Sequence, residues 1–196
     1  MPIPDTVAEI KQRISRYKSA MKKEQKEHGY INDGMGKRYI LFYLYLALNN
    51  TEKSLEYCQW FEQEFFDDIG EPAQLLCWTI ILYRAQQNEK AKHKLAELML
   101  SNLYIIPHLL KHPTRQHKIW HGTNQSLPDY INEFPEKVLS ALTQEELNWI
   151  ESLFESLPFK QLQQDYIRLS AKLNVTDNIE ERKRILTFME NLNAGL

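Results

Sequence analysis

The sequence predicts an all-α protein, built of antiparallel helical hairpins stacked as a short solenoid and packed with N- and C-terminal helices. First, turn-forming residues are scarce, with six glycines and eight prolines among 196 residues. Second, apolar residues recur at spacings of three and four along most of the chain, which is the helical period. Third, no segment shows the strict alternation of a strand. With 43% hydrophobic residues, the chain can bury one core, so we expect a single helical domain over residues 1–196.

Charge and cysteine content restrict the classes of function. The formal net charge is −2, so no global field attracts nucleic acid, which we do not expect as a partner. The two cysteines, Cys58 and Cys77, suit a reducing compartment rather than a disulfide scaffold. The N-terminus lacks the apolar core of a signal peptide, and the longest apolar run, Tyr39 to Leu48, is too short for a bilayer. We therefore expect a cytoplasmic protein without membrane insertion.

The N-terminal segment 5–28 reads as an amphipathic helix. Its apolar stripe consists of Val7, Ile10, Ile14, Tyr17 and Met21. Between Glu9 and Glu27 it carries seven Lys or Arg residues against three Glu. A solvated face explains these charges, and an alternative hypothesis is a binder of anionic surfaces or nucleic acid. That hypothesis would also use the basic region Arg84–Lys118. The three glycines that follow, within residues 29–37, predict an interhelical linker.

Residues 37–112 contain two similar helical hairpins. The stretch from Leu48 to Ser54 aligns with the stretch from Ala85 to Ala91 at an offset of 37 residues. The helices predicted around these two joints are Lys37–Asn49, Thr51–Phe66, Pro72–Gln86 and Asn88–Asn102. Short polar joints predict an antiparallel hairpin in each copy. Thr51 and Asn88 are the predicted N-caps of the second helices.

The two hairpins resemble tetratricopeptide repeats, which are helix–turn–helix units of about 34 residues. Four pairs carry the resemblance: the small residues Ser54 and Ala91, the bulky residues Cys58 and Leu95, and the large residues Leu41 with Trp78 and Tyr45 with Leu82. Phe42 and Thr79 depart from the family, because a small residue is usual there. The resemblance covers Lys37 to Asn102. It implies a non-enzymatic scaffold that binds a protein or peptide partner through a helical groove.

The remaining residues predict a loop and a helical cap. Residues 113–127 are polar and without clear periodicity, so we expect a surface loop. Residues 128–196 are predicted as helices that dock on the repeats. Thr143 begins a capping box with Glu146, and Asp177 is the predicted cap of the last helix.

Four histidines form the best catalytic candidate. They are His108, His112, His117 and His121. His108 and His112 lie one helical turn apart, which would suit two metal ligands if a third were available. No third ligand is evident in the sequence, and prolines flank the pair, so surface histidines are the preferred interpretation. We therefore predict no metal, no cofactor and no catalytic residues, with a metal-dependent enzyme as the alternative.

The resemblance also indicates a peptide-binding site. In stacked hairpins the first helix of each pair lines the concave surface. The predicted peptide-binding residues on these helices are Lys37, Arg38, Tyr39, Tyr43, Tyr83 and Arg84. Tyrosine and arginine are enriched where partners bind. A basic rim from Lys37, Arg38 and Arg84 would favour an acidic segment or a chain-terminal carboxylate. Alternatively, the tyrosines pack under the terminal helices.

Overall fold

The computed structural model describes residues 2–195, including the side chains of residues 2–193. It is helical, with no strand within the described range, so the predicted all-α class is confirmed. None of the described helices combines the length and the apolar character that a membrane span requires.

Ten α-helices lie within residues 2–195. They are α1 (Val7–His28), α2 (Lys37–Leu48), α3 (Thr51–Glu64), α4 (Pro72–Arg84), α5 (Asn88–Ser101), α6 (Ile105–Leu109), α7 (Glu136–Ser140), α8 (Gln144–Phe154), α9 (Leu157–Val175) and α10 (Ile179–Glu190). Three short 3-10 helices cover Asn124–Ser126, Pro128–Glu133 and Leu192–Gly195. Helices α2 to α5 begin at the predicted residues and end within two residues of the predicted positions.

The described chain divides into two compact units. Unit 1 contains residues 2–88 together with 135–142, and unit 2 contains residues 89–134 together with 143–195. The division falls within the second predicted hairpin, with α4 in unit 1 and nearly all of α5 in unit 2. The single domain and the stacked repeat hairpins therefore stay predictions.

Helix α2 lies at the centre of unit 1, where it packs against α1, α3, α4 and α7. All six residues from Leu41 to Leu46 are buried. The ring of Phe42 contacts those of Tyr57, Phe61 and Trp78, with centroids 5.1, 5.1 and 5.2 Å away. Helix α4 is buried from Pro72 to Leu82. Unit 1 therefore has a dense aromatic core, which holds the ends of α2 in fixed positions.

Unit 2 is organised around α6, α8 and α9. Helix α6 packs against α8 and the 3-10 helix Pro128–Glu133, while α9 packs against both α8 and α10. Buried Asn102 orders the connection after α5. Its amide donates to the carbonyls of Gln125 and Leu127 at 2.7 and 3.0 Å, and its Oδ1 accepts from the Tyr104 N–H at 2.9 Å.

The helix starts test the predicted caps. The capping box of Thr143 and Glu146 is confirmed. Thr51, Asn88 and Asp177 are not the caps: Thr51 and Asn88 are already the first residues of α3 and α5. Asn50 and Asn178 cap α3 and α10, because each is still extended and accepts from the N–H three residues ahead.

Candidate functional site

The six residues predicted to bind a peptide lie in the first half of α2 and at the end of α4. Lys37, Arg38 and Tyr39 form the first turn of α2, and Tyr43 follows one turn later. Tyr83 and Arg84 end α4, where the Arg84 guanidinium donates to Asn49 Oδ1 at 3.0 Å, just beyond the other end of α2. At 1.5 Å per residue, Arg38 and Asn49 are about 16 Å apart along the helix. The structure therefore does not gather the six residues into one cluster.

Asp33 organises the start of α2. The N-cap position holds Gly36, which has no side chain to satisfy the first N–H groups. The buried carboxylate of Asp33 takes the capping role instead, accepting from the N–H groups of Lys37 and Arg38, each at 2.8 Å. A negative charge here is also favoured by the helix dipole. The loop 29–36, predicted only as a linker, is thus part of the structured start of α2.

Arg38 joins this loop to the loop 65–71 that connects α3 with α4. Its guanidinium lies 3.4 Å from Asp33 Oδ2 and donates from Nε to Asp68 Oδ2 at 2.7 Å. Tyr39 donates its hydroxyl to Asp68 Oδ1 at 2.7 Å, and the guanidinium lies 4.4 Å from its ring centroid. Burial and this hydrogen bond raise the pKa of Tyr39 to about 12. We call the loops 29–36 and 65–71 together the loop end of unit 1.

The charge of Lys37 is also paired with carboxylates of the same unit. Its ammonium lies 3.1 Å from Glu24 Oε1 and 3.5 Å from Asp33 Oδ1. Burial opposes its charge, but the bond to Glu24 and the two carboxylates outweigh burial and raise the pKa of Lys37. The hydrogen bonds from Lys37 and from the Asp33 N–H lower the pKa of Glu24. With Arg38 also paired, the predicted basic rim is occupied at this end by the protein's own carboxylates.

Tyr43 is buried, with 9% of its surface exposed, and its hydroxyl donates to Glu71. Tyr83 and Arg84 are half-buried, and Arg84 also donates to the Ala141 carbonyl at 2.8 Å. A partner on the surface can thus reach Lys37, Arg38, Tyr39, Tyr83 and Arg84 more readily than Tyr43. Peptide binding by these residues stays a prediction.

Large apolar side chains are exposed at the loop end. Tyr30 and Met35 in one loop are 63% and 79% exposed, and Phe66 and Ile69 in the other are 85% and 88% exposed. Asp67, between the latter two, is exposed as well. The sequence contains six acidic residues and no Lys or Arg from Ser54 to Tyr83. Exposed apolar groups on ordered loops are a feature that the sequence patterns did not reveal, because they lie outside every periodic segment.

The four histidines all lie in unit 2, and their side chains have different neighbours. His108 is exposed. His112 pairs with Glu151 at 3.1 Å, His121 lies 3.2 Å from Ser126 Oγ, and the His117 ring lies beside the Tyr104 ring. Within residues 2–195 no group of three or more His, Cys, Asp or Glu residues is placed to hold a metal ion.

The two cysteines are buried in the helices of unit 1. Burial raises the pKa of the Cys77 thiol well above its ordinary value, so it remains protonated at neutral pH. A protonated, fully buried thiol is a core residue and a poor nucleophile.

Comparison with known proteins identifies no relative of this chain. No protein-family profile matches the chain, and no curated protein or solved structure matches it at a significant level. Function must therefore be argued from the arrangement of the residues themselves.

Proposed function

We propose that the protein is a non-enzymatic interaction module that binds a protein segment rich in Lys, Arg and apolar residues at the loop end of unit 1. The observation that carries the proposal is the exposure of Tyr30, Met35, Phe66 and Ile69 on two loops that Arg38 ties together. Large exposed apolar side chains that share one end of a protein are typical of protein-binding surfaces. The packing of α2 against α3 and α4 also supports a repeat-like scaffold.

The ordering of the loops favours binding. Asp68 accepts from Arg38, from Tyr39 and from the N–H of Gly70 at 2.8 Å. Across the unit, Gln25 donates to Glu64 Oε1 at 2.7 Å. A surface held in this way loses little conformational freedom when a partner docks, so more of the contact energy appears as affinity.

Charge selects the chemistry of the partner. Lys37 and Arg38 are paired with carboxylates, while Asp67 is exposed beside Phe66 and the stretch from Ser54 to Tyr83 contains no Lys or Arg. This favours a basic partner rather than the acidic ligand expected from the sequence. Such charge complementarity accelerates association, and the attraction weakens as salt is added.

The test uses two synthetic helical peptides with the same leucine pattern, one with lysine and one with glutamate at every polar position. Fluorescence anisotropy measures their affinity for the full chain. We expect the lysine peptide to bind at least about tenfold more tightly, with affinity falling as salt is added.

Variants locate the binding surface. Phe66→Ser with Ile69→Ser should weaken the lysine peptide about tenfold or more, the loss typical of hot-spot residues. The matched control is Val175→Ser with Ile179→Ser, which removes two exposed apolar residues from unit 2. Equal binding of both peptides, or equal weakening by both double variants, would contradict the proposal.

A further inference from the structure

A cleft in unit 2, separate from the loop end of unit 1, has the features of a small-molecule site. Its volume is about 360 Å³, within the range of ligand pockets. Its lining includes Tyr104, His112, Arg115, His117, Phe154 and Gln163. These residues come from the start of α6, the segment that follows α6, the end of α8 and the middle of α9.

The segment after α6 is anchored on both sides of the cleft residues. The His112 N–H donates to the Pro107 carbonyl at 2.8 Å, and the His117 N–H donates to the Tyr104 hydroxyl at 3.3 Å. Further on, the Trp120 N–H donates to the Ser170 carbonyl at 3.1 Å. The backbone of this part of the lining is therefore positioned before any ligand arrives, which reduces the entropic cost of binding.

The cleft contains one positive charge that is not compensated. His112 faces the carboxylate of Glu151 at 3.1 Å. Arg115 is exposed and forms no ion pair or hydrogen bond with any residue of the described range. His117 does not add a second charge at neutral pH, because burial and the Arg115 charge lower its pKa.

The lining of the cleft includes four ring side chains. Pro107 and Pro113 contribute rings without hydrogen-bond donors, and Phe154 and Tyr104 contribute aromatic rings. Aromatic and proline surfaces pack well against a planar ring, and a guanidinium receives a carboxylate through two parallel hydrogen bonds. A phosphate monoester would carry closer to two negative charges, more than one arginine balances.

We infer that this cleft binds an aromatic monocarboxylate, with the carboxylate on Arg115 and the ring between Phe154 and the two prolines. The Gln163 amide and the Thr114 hydroxyl line the same cleft and supply hydrogen bonds for substituents of the ring.

The test measures binding of benzoate to the full chain by chemical-shift titration of the backbone amides. We expect saturable shifts at cleft residues, with benzamide, the uncharged analogue of the same shape, binding about tenfold more weakly or worse. Phenyl phosphate serves as the doubly charged comparison and should bind no more tightly than benzoate.

Two variants assign the charge. Arg115→Gln should weaken benzoate about tenfold or more and leave benzamide unchanged. Lys118→Gln removes an exposed cation from the same segment but outside the cleft lining, so benzoate should bind it as it binds the unaltered chain. Far-ultraviolet circular dichroism is the control that checks whether both variants fold. The inference fails if benzoate produces no saturable shifts in the cleft, if benzamide matches it, if phenyl phosphate binds more tightly, or if both variants weaken it equally.

Discussion

The loop end of unit 1 and the cleft of unit 2 distribute charge in opposite ways. At the loop end, Lys37 and Arg38 are paired with carboxylates, and the apolar groups point outward. In the cleft, Arg115 has no carboxylate partner among the described residues, and aromatic and proline rings form part of the lining. An outward apolar surface needs a partner large enough to cover it, whereas a concave cleft with aromatic rings and one charge suits a small anion.

Helices of the two units also differ in how deeply they are buried. Helix α4 of unit 1 is buried from Pro72 to Leu82, whereas Ile185 is the only buried residue that α10 of unit 2 contributes. The loop end of unit 1 therefore adjoins a densely packed core. The same contrast predicts where the free energy of unfolding is concentrated.

The largest expected effect comes from the aromatic core of unit 1. Phe42→Ala removes a fully buried ring that contacts Tyr57, Phe61 and Trp78. We expect the free energy of unfolding to fall by about 3–5 kcal/mol, measured by urea denaturation. Ile185→Ala should cost about 2 kcal/mol, the lower end of its range, because the mostly exposed α10 can settle around the lost volume. An equal or larger loss for Ile185→Ala would reverse the comparison between the units.

The next largest effect concerns the backbone of the loop end. Gly70 has a φ of +74°, and a Cβ there would lie 2.4 Å from Gln74 Oε1. Gly70→Ala should therefore destabilise the protein by about 2 kcal/mol, since the left-handed conformation alone costs 1–2 kcal/mol. Gly34→Ala is the matched control in the other loop, where nothing lies within 4 Å of a Cβ. We expect it to change stability by less than about 0.5 kcal/mol. Similar losses in both variants would contradict a special role for Gly70.

A smaller effect tests the hydrogen bond between Tyr39 and Asp68. Tyr39→Phe should cost about 1 kcal/mol at neutral pH, the low end for a bond to a charged group because water reaches this site. The folded pKa of Tyr39 is raised from 10.0 to about 12. Its contribution is therefore complete below pH 10 and is lost as the pH rises through about 12. Urea denaturation from pH 8 upward should show the two proteins converging, and a constant difference would contradict the assignment.

The sequence predicts the helices more reliably than their ends. The four helix starts from Lys37 to Asn88 depend on apolar periodicity and short polar joints, which are local signals. The caps depend on which residue keeps an extended backbone, so Asn50 and Asn178 act where Thr51 and Asp177 were expected. Neighbouring polar residues offer equivalent capping groups, and the sequence alone does not choose between them.

The candidate sites were harder to predict because they depend on contacts between distant segments. Lys37 and Arg38 look like an open basic rim in the sequence, since their partners Glu24 and Asp68 lie 13 and 30 residues away. The pattern likewise gave Asp33 no role, because a buried carboxylate in a glycine-rich loop resembles an ordinary turn residue. The cleft around Arg115 lies in a segment without periodicity, which predicts a loop but not what that loop encloses.

The smallest expected effect concerns the charge state of the cleft. Burial, and secondarily the charge of Arg115, lower the pKa of His117 from 6.5. A nuclear magnetic resonance titration of the imidazole should therefore give a midpoint below 6.5. In Arg115→Gln the midpoint should rise but stay below 6.5, because burial is the larger cause and remains. Lys118→Gln should leave it unchanged, since Lys118 is not among the groups that shift His117. The neutral imidazole contributes stability above pH 6.5 that is lost as the pH falls through its lowered folded pKa. If the midpoint in Arg115→Gln matched that of the unaltered chain, the Arg115 charge would not act on His117, which would contradict the placement of the guanidinium beside that imidazole in the cleft.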